Sequence, residues 1–167
     1  ILEGQEPTAF DKKILSYQNQ GFLVPTRKLI KTPEQIEGIK QSGVINTGVL
    51  DLIEQEIHAG MTTEEIDKLV YDYTVSHGAI PAPLNYEGFP KSVCTSINEV
   101  VCHGIPNDCE VLEEGDIINV DVSTIYKGYY SDASRMFIIG KTTPEKEKLV
   151  RVTKECLEIG ANAAKPW

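Results

Sequence analysis

The chain has 167 residues, of which 41% are hydrophobic and 25% are charged, so it has the composition of a globular domain rather than of a disordered segment. Its formal net charge of -9 disfavours binding to nucleic-acid phosphates as a main function. The sequence has no apolar run of the roughly 20 residues that a membrane-spanning helix needs, so we expect neither nucleic acid nor a membrane among its partners.

The two ends of the chain are unusual. Residues 1–31 are polar and lack helical or strand periodicity, and we expect them to form a loosely packed extension. The chain begins with Ile1 and ends at Trp167, directly after a proline, without an obvious closing element. We therefore expect the sequence to be part of a longer protein.

Two helices are predicted after this extension. The segment Thr32–Gln35 combines a capping threonine, a proline at the first helical position and a capping-box glutamine. Apolar residues then recur at helical spacing, and Gly60 is predicted to end the helix. The segment Thr62–Glu65 is a second capping box, and the helix that follows it is predicted to end near Gly78.

The next part of the chain combines an irregular loop with strands. Residues 79–90 contain three prolines and one glycine, which forbid a regular element; the aromatic and leucine side chains of this loop form either a pocket wall or ordinary cover over the core. Alternating patterns predict one hairpin from residues 93–97 and 100–103 and a second from residues 117–125 and 129–139.

A last helix is predicted from Thr143 to about Ala164, with threonine as its cap. Its apolar stripe consists of Leu149, Val152, Cys156 and Ile159. The order helix, helix, hairpin, hairpin, helix predicts an α+β domain in which helices cover one side of an antiparallel sheet.

Four cysteines, Cys94, Cys102, Cys109 and Cys156, show neither a CxxC pair nor the density of a disulfide framework. We interpret them as free, buried thiols in a reducing cytoplasm. A metal site made of Cys102 and His103 is disfavoured, because adjacent side chains of a strand point to opposite faces.

Two aspartates suggest chemistry. Aspartate is depleted in strands, yet Asp121 and Asp132 lie in the middle of two predicted strands. If the hairpin is centred between Tyr126 and Lys127, the two carboxylates face each other with Cβ atoms roughly 5 Å apart. A shared proton or, better, a divalent cation offsets such repulsion. A bulge that shifts the register leaves two unrelated solvated aspartates, and the pattern alone does not exclude this.

His103 is the second candidate, since it ends a predicted strand and precedes Gly104. It is either a hydrogen-bonded structural histidine or a donor to a substrate, because its reference pKa lies near neutrality. His58 and His77 lie at predicted helix C-termini, where a cation favours the helix dipole, and we assign them no chemical role.

At these residues a resemblance becomes specific. Residues 85–106, NYEGFPKSVCTSINEVVCHGIP, and residues 115–137, GDIINVDVSTIYKGYYSDASRMF, resemble methionine aminopeptidases of the bacterial type I kind. The resemblance covers residues 27–167 and implies that they form the first half of a pita-bread catalytic domain. Residues 1–26 are an N-terminal extension outside it, which either contacts the ribosome or another partner or only packs on the domain.

The resemblance also implies a two-metal site. Asp121 would chelate one divalent ion and Asp132 would bridge both, while one His and two Glu in the second half of the family's fold would complete the ligands. The ions would be cobalt, manganese, iron or zinc, and two carboxylates do not discriminate among these.

The remaining assignments follow from the same resemblance. His103 would contact the substrate near the scissile bond, and Tyr86, Phe89 and Cys94 would bind the methionine side chain, whereas Pro83 departs from the residue that some relatives carry. The implied protein is a cytoplasmic, monomeric enzyme that removes the N-terminal methionine from nascent proteins and peptides and prefers a small second residue.

Two alternatives stay open. The first is a non-catalytic pita-bread binding module, and the second is an X-Pro aminopeptidase or a creatine-cleaving relative. The presence of both aspartates and of His103 favours the enzyme, and the pocket residues favour methionine. We expect the 167-residue chain alone to have little or no activity, because three implied ligands and the implied general base, a glutamate, are not among its residues.

Overall fold

The computed structural model describes residues 6–24 and 29–165. The helices are α1 (Ala9–Asn19), α2 (Pro33–Glu56), α3 (Thr63–Ser76) and α4 (Pro144–Ala163). The strands are β1 (Ile80–Pro81), β2 (Cys94–Ile97), β3 (Ile117–Tyr126) and β4 (Tyr129–Ile138). The chain divides into two compact units, of which the first ends at Ile36 and the second begins at Glu37.

Helix α1 lies in the segment for which no element was predicted, so that prediction is wrong there. Its capping box uses an aspartate: the Asp11 backbone N–H donates to Thr8 Oγ1 at 3.2 Å, and the Thr8 backbone N–H donates to Asp11 Oδ2 at 2.9 Å. Phe10, Ile14 and Tyr17 do recur at helical spacing in it, but this pattern spans only about two turns among many polar residues. The predicted boundary after residue 26 falls in residues 25–28, outside the described residues, and stays a prediction.

The predicted caps of α2 and α3 are confirmed. The Thr32 backbone N–H donates to Gln35 Oε1 at 2.9 Å, and Thr62 and Glu65 form a reciprocal capping box. Helix α2 ends at Glu56, four residues before the predicted end. Beyond that end, the N–H of Gly60 donates to the carbonyl of Leu112 at 2.7 Å rather than to the helix.

Replacing Thr62 with alanine is expected to lower the free energy of unfolding by about 1 kcal/mol, the usual cost of losing a threonine cap. Thr62 Oγ1 accepts from the Glu65 backbone N–H at 3.2 Å, and alanine leaves that donor unpaired. Urea unfolding measures the change. Thr153→Ala is the matched control, because this threonine lies inside α4, where alanine is the better helix former. Equal losses in the two variants would contradict the assignment.

The same cap predicts a dependence on pH. Hydrogen bonds from the Thr62 backbone N–H and hydroxyl hold the pKa of Glu65 below its usual range. A lowered folded-state pKa means that the carboxylate's contribution is complete above the unfolded-state pKa and is lost as the pH falls through the folded-state value. The difference in the free energy of unfolding between the wild type and Glu65→Gln is therefore expected to shrink as the pH falls.

The sheet is built around β3. Strand β4 pairs antiparallel with β3 over its whole length, and on the other edge β3 pairs with β2 and β1. The predicted strand at residues 100–103 is wrong. Val101 is 91% exposed and His103 has a φ of 56°, which is not a strand conformation. This segment is therefore a loop and not the second strand of a hairpin.

Alternate residues of β3 separate a buried face from an open one. Ile118, Val120 and Val122 are fully buried and belong to one hydrophobic cluster with residues of α2 and α3. The predicted arrangement, in which helices cover one side of an antiparallel sheet, is confirmed. Asp121 and Ser123 point to the opposite face and are half-buried, so any site on β3 lies on the face away from these helices.

Helix α4 begins after Thr143 as predicted, with the Lys146 backbone N–H donating to Thr143 Oγ1. Every residue of α4 is at least partly exposed, and Leu149 and Ile159 of its stripe are 58% and 69% exposed. Within residues 6–24 and 29–165, no helix is long and apolar enough to span a membrane.

All four cysteines are free, as predicted. Their predicted burial is wrong for Cys102, Cys109 and Cys156, which are exposed, while Cys94 is half-buried. The first two lie in loops, and the third lies on α4, whose stripe is exposed.

Candidate active site

The β3–β4 hairpin determines how the two aspartates meet. Its turn consists of Lys127 and Gly128, with φ values of 49° and 84°, so the hairpin is centred one residue later than predicted. Asp121 consequently lies opposite Ser134, and Asp132 lies opposite Ser123. The prediction that the aspartates are directly opposed is wrong: they are diagonal neighbours.

The diagonal arrangement keeps both carboxylates on the open face of the sheet. Moving the centre of a hairpin by one residue shifts every partner by two positions, and side chains alternate with a period of two. Diagonal neighbours are about 7 to 8 Å apart at Cα, within reach of one another's side chains. The structure therefore brings Asp121 and Asp132 together, by a different register from the expected one.

The electrostatics of this pair suit a cation. Burial, and then the charge of Asp132, raise the pKa of Asp121, while His103 opposes the shift. Asp132 Oδ1 accepts a hydrogen bond from Ser123 Oγ at 2.5 Å. No hydrogen bond from a described residue offsets the desolvation of Asp121. A half-buried carboxylate beside a second one is stabilised by a divalent ion, for which carboxylate oxygens are good ligands.

These two carboxylates are not a complete metal site. Within the part of the chain that the structure describes, no group of three or more His, Cys, Asp or Glu side chains could hold a metal ion. The donor set thus fits a divalent cation and requires further ligands.

Both aspartates line a cavity of about 780 Å³. Residues 82–90 form one wall, which confirms the pocket-wall interpretation for this part of the predicted segment 79–90. The prediction that the segment has no regular element is wrong at Ile80–Pro81, which pair with β3 as β1. All six predicted site residues line this same cavity. They are Tyr86, Phe89, Cys94, His103, Asp121 and Asp132.

Cys94 contributes a neutral thiol to the cavity. Its Cα pairs with that of Asp121 across β2 and β3. Burial, and then the charges of Asp121, Cys102 and Asp132, raise the pKa of Cys94 to about 11. The thiol is therefore protonated at neutral pH. Together with the rings of Tyr86 and Phe89, it makes this part of the wall polarisable and apolar.

Other residues line the cavity that were not among the six predicted site residues. Ala82, Pro83, Glu87, Gly88 and Pro90 belong to the segment offered as a possible pocket wall, and Ile105, Ser123, Tyr130 and Ser131 were not considered. Ser123 and Tyr130 lie two residues from Asp121 and Asp132, so strand alternation could have identified them. Ile105 lies on a loop, and no local pattern assigns it to this face.

Comparison with known proteins gives one family. The model of metallopeptidase family M24 matches residues 37–166. The chain is similar to methionine aminopeptidase A of Synechocystis sp., at 52% identity over 79% of this chain and 52% of that relative. It is also similar to methionine aminopeptidase of Escherichia coli K12, at 48% identity over 82% of this chain and 52% of the relative.

A solved structure agrees with the sequence relatives. The crystal structure of methionine aminopeptidase from Thermotoga maritima superimposes with a TM-score of 0.80 at 38% identity, covering 82% of this chain and 55% of that one. The chain spans about half the length of the curated relatives it matches. The α+β arrangement is thus one part of a pita-bread fold.

Proposed function

The chain belongs to metallopeptidase family M24, and on that premise we propose that the protein is a methionine aminopeptidase. It hydrolyses the first peptide bond of a chain that begins with methionine and prefers a small second residue. The observation that carries the proposal is the cavity in which the carboxylate pair, His103 and the polarisable, apolar wall lie together, in a chain about half identical to methionine aminopeptidases.

Membership of a metallopeptidase family implies dependence on a divalent metal. We propose two ions, of cobalt, manganese, iron or zinc; Asp121 would be a ligand of one ion and Asp132 would be a ligand of both. The remaining ligands, one His and two Glu, lie outside the residues assigned here. Bound divalent ions supply Lewis acidity, lowering the pKa of water and polarising a carbonyl.

His103 acts on the substrate rather than on the metals in this proposal. As an imidazole at the cavity surface, it donates a hydrogen bond to the scissile amide or to the oxygen on which negative charge develops. A preorganised donor of this kind stabilises the transition state more than the ground state. Loss of the His103 imidazole is therefore expected to lower kcat.

Tyr86, Phe89 and Cys94 hold the methionine side chain. Thioether sulfur makes favourable contacts with aromatic rings, and the protonated Cys94 thiol places no charge against it. A glutamate side chain at the first position would share the cavity with the carboxylates of Glu87, Asp121 and Asp132 and would meet an apolar part of its wall. We therefore expect methionine to be preferred over glutamate at the first position.

A direct assay separates this function from its alternatives. The peptide Met-Ala-Ser is incubated with the protein and each of the four metals, and free methionine is quantified beside an Ala-Pro-Ser peptide. We expect methionine release and no cleavage before proline. Cleavage of the proline peptide alone would favour an X-Pro aminopeptidase, and cleavage of neither by the intact protein would favour a binding module.

The 167-residue chain alone is expected to release little or no methionine from the peptide with any of the four metals added. Two carboxylates cannot complete two coordination spheres, and the described residues offer no larger ligand group. The measurement is methionine release per mole of chain, against a full-length relative as positive control. Sustained turnover by this chain alone would overturn the prediction.

We also propose a cytoplasmic monomer that acts on nascent chains. The reducing compartment agrees with four free cysteines. Contact with the ribosome through residues 1–26 remains one of two open interpretations of that segment, and binding of the purified protein to ribosomes with and without these residues distinguishes them.

A further inference from the structure

We propose that Ser96 and Gly104 are positioning residues for His103, holding its loop against β2 so that the imidazole lies at the cavity. The inference rests on the proposed function, because it takes His103 to contact the substrate. It assigns a role to two residues that neither ligate a metal in the proposal nor line the cavity.

The backbone of His103 needs external support. Its φ of 56° lies in the left-handed region, which non-glycine residues rarely occupy. Such a conformation persists when the surrounding structure holds it, and it is common at functional sites. The residues that hold the following peptide therefore determine where the imidazole lies.

Gly104 makes that connection through both of its backbone groups. Its N–H donates to Ser96 Oγ at 3.2 Å, and its carbonyl accepts from the Thr95 N–H at 3.0 Å. Ser96 is only 4% exposed, so little water competes for its hydroxyl. The His103 loop is thus fastened to two consecutive residues of one strand.

The same strand pairs with the strand that holds Asp121. Strand β2 pairs with β3 so that Cys94 lies opposite Asp121 and Ser96 lies opposite Asn119. Fastening Gly104 to β2 therefore fixes the His103 backbone relative to the Asp121 backbone, through a few hydrogen bonds. A catalytic hydrogen-bond donor requires this kind of fixed distance, because small misplacements of a catalytic group are costly.

The close approach depends on the absence of a side chain at residue 104. A Cβ at Gly104 would collide with the carbonyl oxygen of Thr95, which is backbone and cannot move aside cheaply. The φ of Gly104 is not in the left-handed region, so the glycine is required for space. Gly104→Ala is accordingly expected to displace the His103 loop.

The test is a double-mutant cycle in the intact enzyme with Met-Ala-Ser as substrate. Ser96→Ala is measured alone and combined with His103→Ala. Thr95→Val is the matched control, since it removes a neighbouring buried hydroxyl that has no hydrogen-bond partner within the described residues. Metal content and thermal unfolding are recorded for every variant.

We expect Ser96→Ala to lower kcat about fivefold or more, with little change in KM, metal content or Tm. In the His103→Ala background the same substitution is expected to change kcat by less than about twofold, because a residue that acts through another has no effect once the other is gone. Thr95→Val is expected to leave kcat at the wild-type value.

Three results would overturn the inference while leaving the proposed function intact: an unchanged kcat in Ser96→Ala, an equal loss in the His103→Ala background, or a change in KM alone. If Ser96→Ala does not fold, Ser96→Cys keeps the volume and replaces the hydroxyl with a weak acceptor, and the same criteria apply. A wild-type enzyme that releases no methionine would instead overturn the proposed function.

Discussion

Asp121→Asn and Asp132→Asn are each expected to reduce metal-dependent methionine release by about a thousandfold or more, because a bound metal contributes several kcal/mol of transition-state stabilisation. Asparagine keeps the shape of the side chain, removes its charge and replaces one acceptor oxygen with an NH2 donor, so the variants remove an anionic ligand with little change in volume. Methionine release and bound metal per mole are measured together. Both quantities are expected to fall.

A surface aspartate provides the control. Asp72→Asn makes the same chemical change on the exposed face of α3, where the carboxylate pairs with Lys68 at 2.6 Å. Exposed pairs of this kind contribute little to stability, so activity and metal content are expected to stay normal. Wild-type turnover and metal content in Asp121→Asn would exclude a metal-binding role for that residue.

Stability of the metal-free protein discriminates further. Burial and the neighbouring Asp132 raise the pKa of Asp121, which means that its charged form is disfavoured in the folded state. Above that pKa the charge destabilises the fold, so neutral asparagine is expected to leave the metal-free Tm unchanged or higher. A large drop in the metal-free Tm would indicate a structural role for Asp121 instead.

His103→Ala is expected to give the second-largest loss, about 10²- to 10³-fold in kcat, which is typical for removal of one donor to a developing oxyanion. Bound metal is expected to stay near normal, since His103 is not a ligand in this proposal. The paired measurement of kcat and metal content distinguishes a substrate contact from a metal ligand.

His58→Ala is the matched control, because His58 is an exposed histidine just after the end of α2. It is expected to leave kcat unchanged. If His103→Ala loses its metals, the residue is a ligand and its assignment here is wrong. If it raises KM with kcat unchanged, it contributes uniform binding rather than transition-state stabilisation.

Predictions from the sequence succeeded where the interaction is local. The caps at Thr32, Thr62 and Thr143 were correctly assigned, because a capping bond joins residues three apart and needs no other part of the chain. Strands β3 and β4 were correctly placed for a similar reason: alternation along each strand reflects its own two faces.

The resemblance to methionine aminopeptidases added what no local pattern contains. Spacing alone left the aspartates open between a metal pair and two solvated carboxylates, and composition left residues 79–90 open between a pocket wall and cover. Both segments line one cavity, although they are about 30 residues or more apart in the chain. Their meeting depends on how β2 and β3 pair, which is a non-local contact.

Local sequence and the resemblance together therefore selected the residues that are proposed to carry chemistry, and the three-dimensional arrangement determined how they meet. The hairpin register depends on two turn residues with positive φ, Lys127 and Gly128, and moving its centre by one residue turned an opposed pair of carboxylates into a diagonal one. The sequence of the loop that ends at His103 resembles a strand, but the loop pairs with none of the strands in the described residues; the approach of Gly104 to β2 gives it its shape. Alternation of polar and apolar residues reports which face a side chain takes, but neither the register of a hairpin nor the path of a loop, and these depend on turn conformation and close packing.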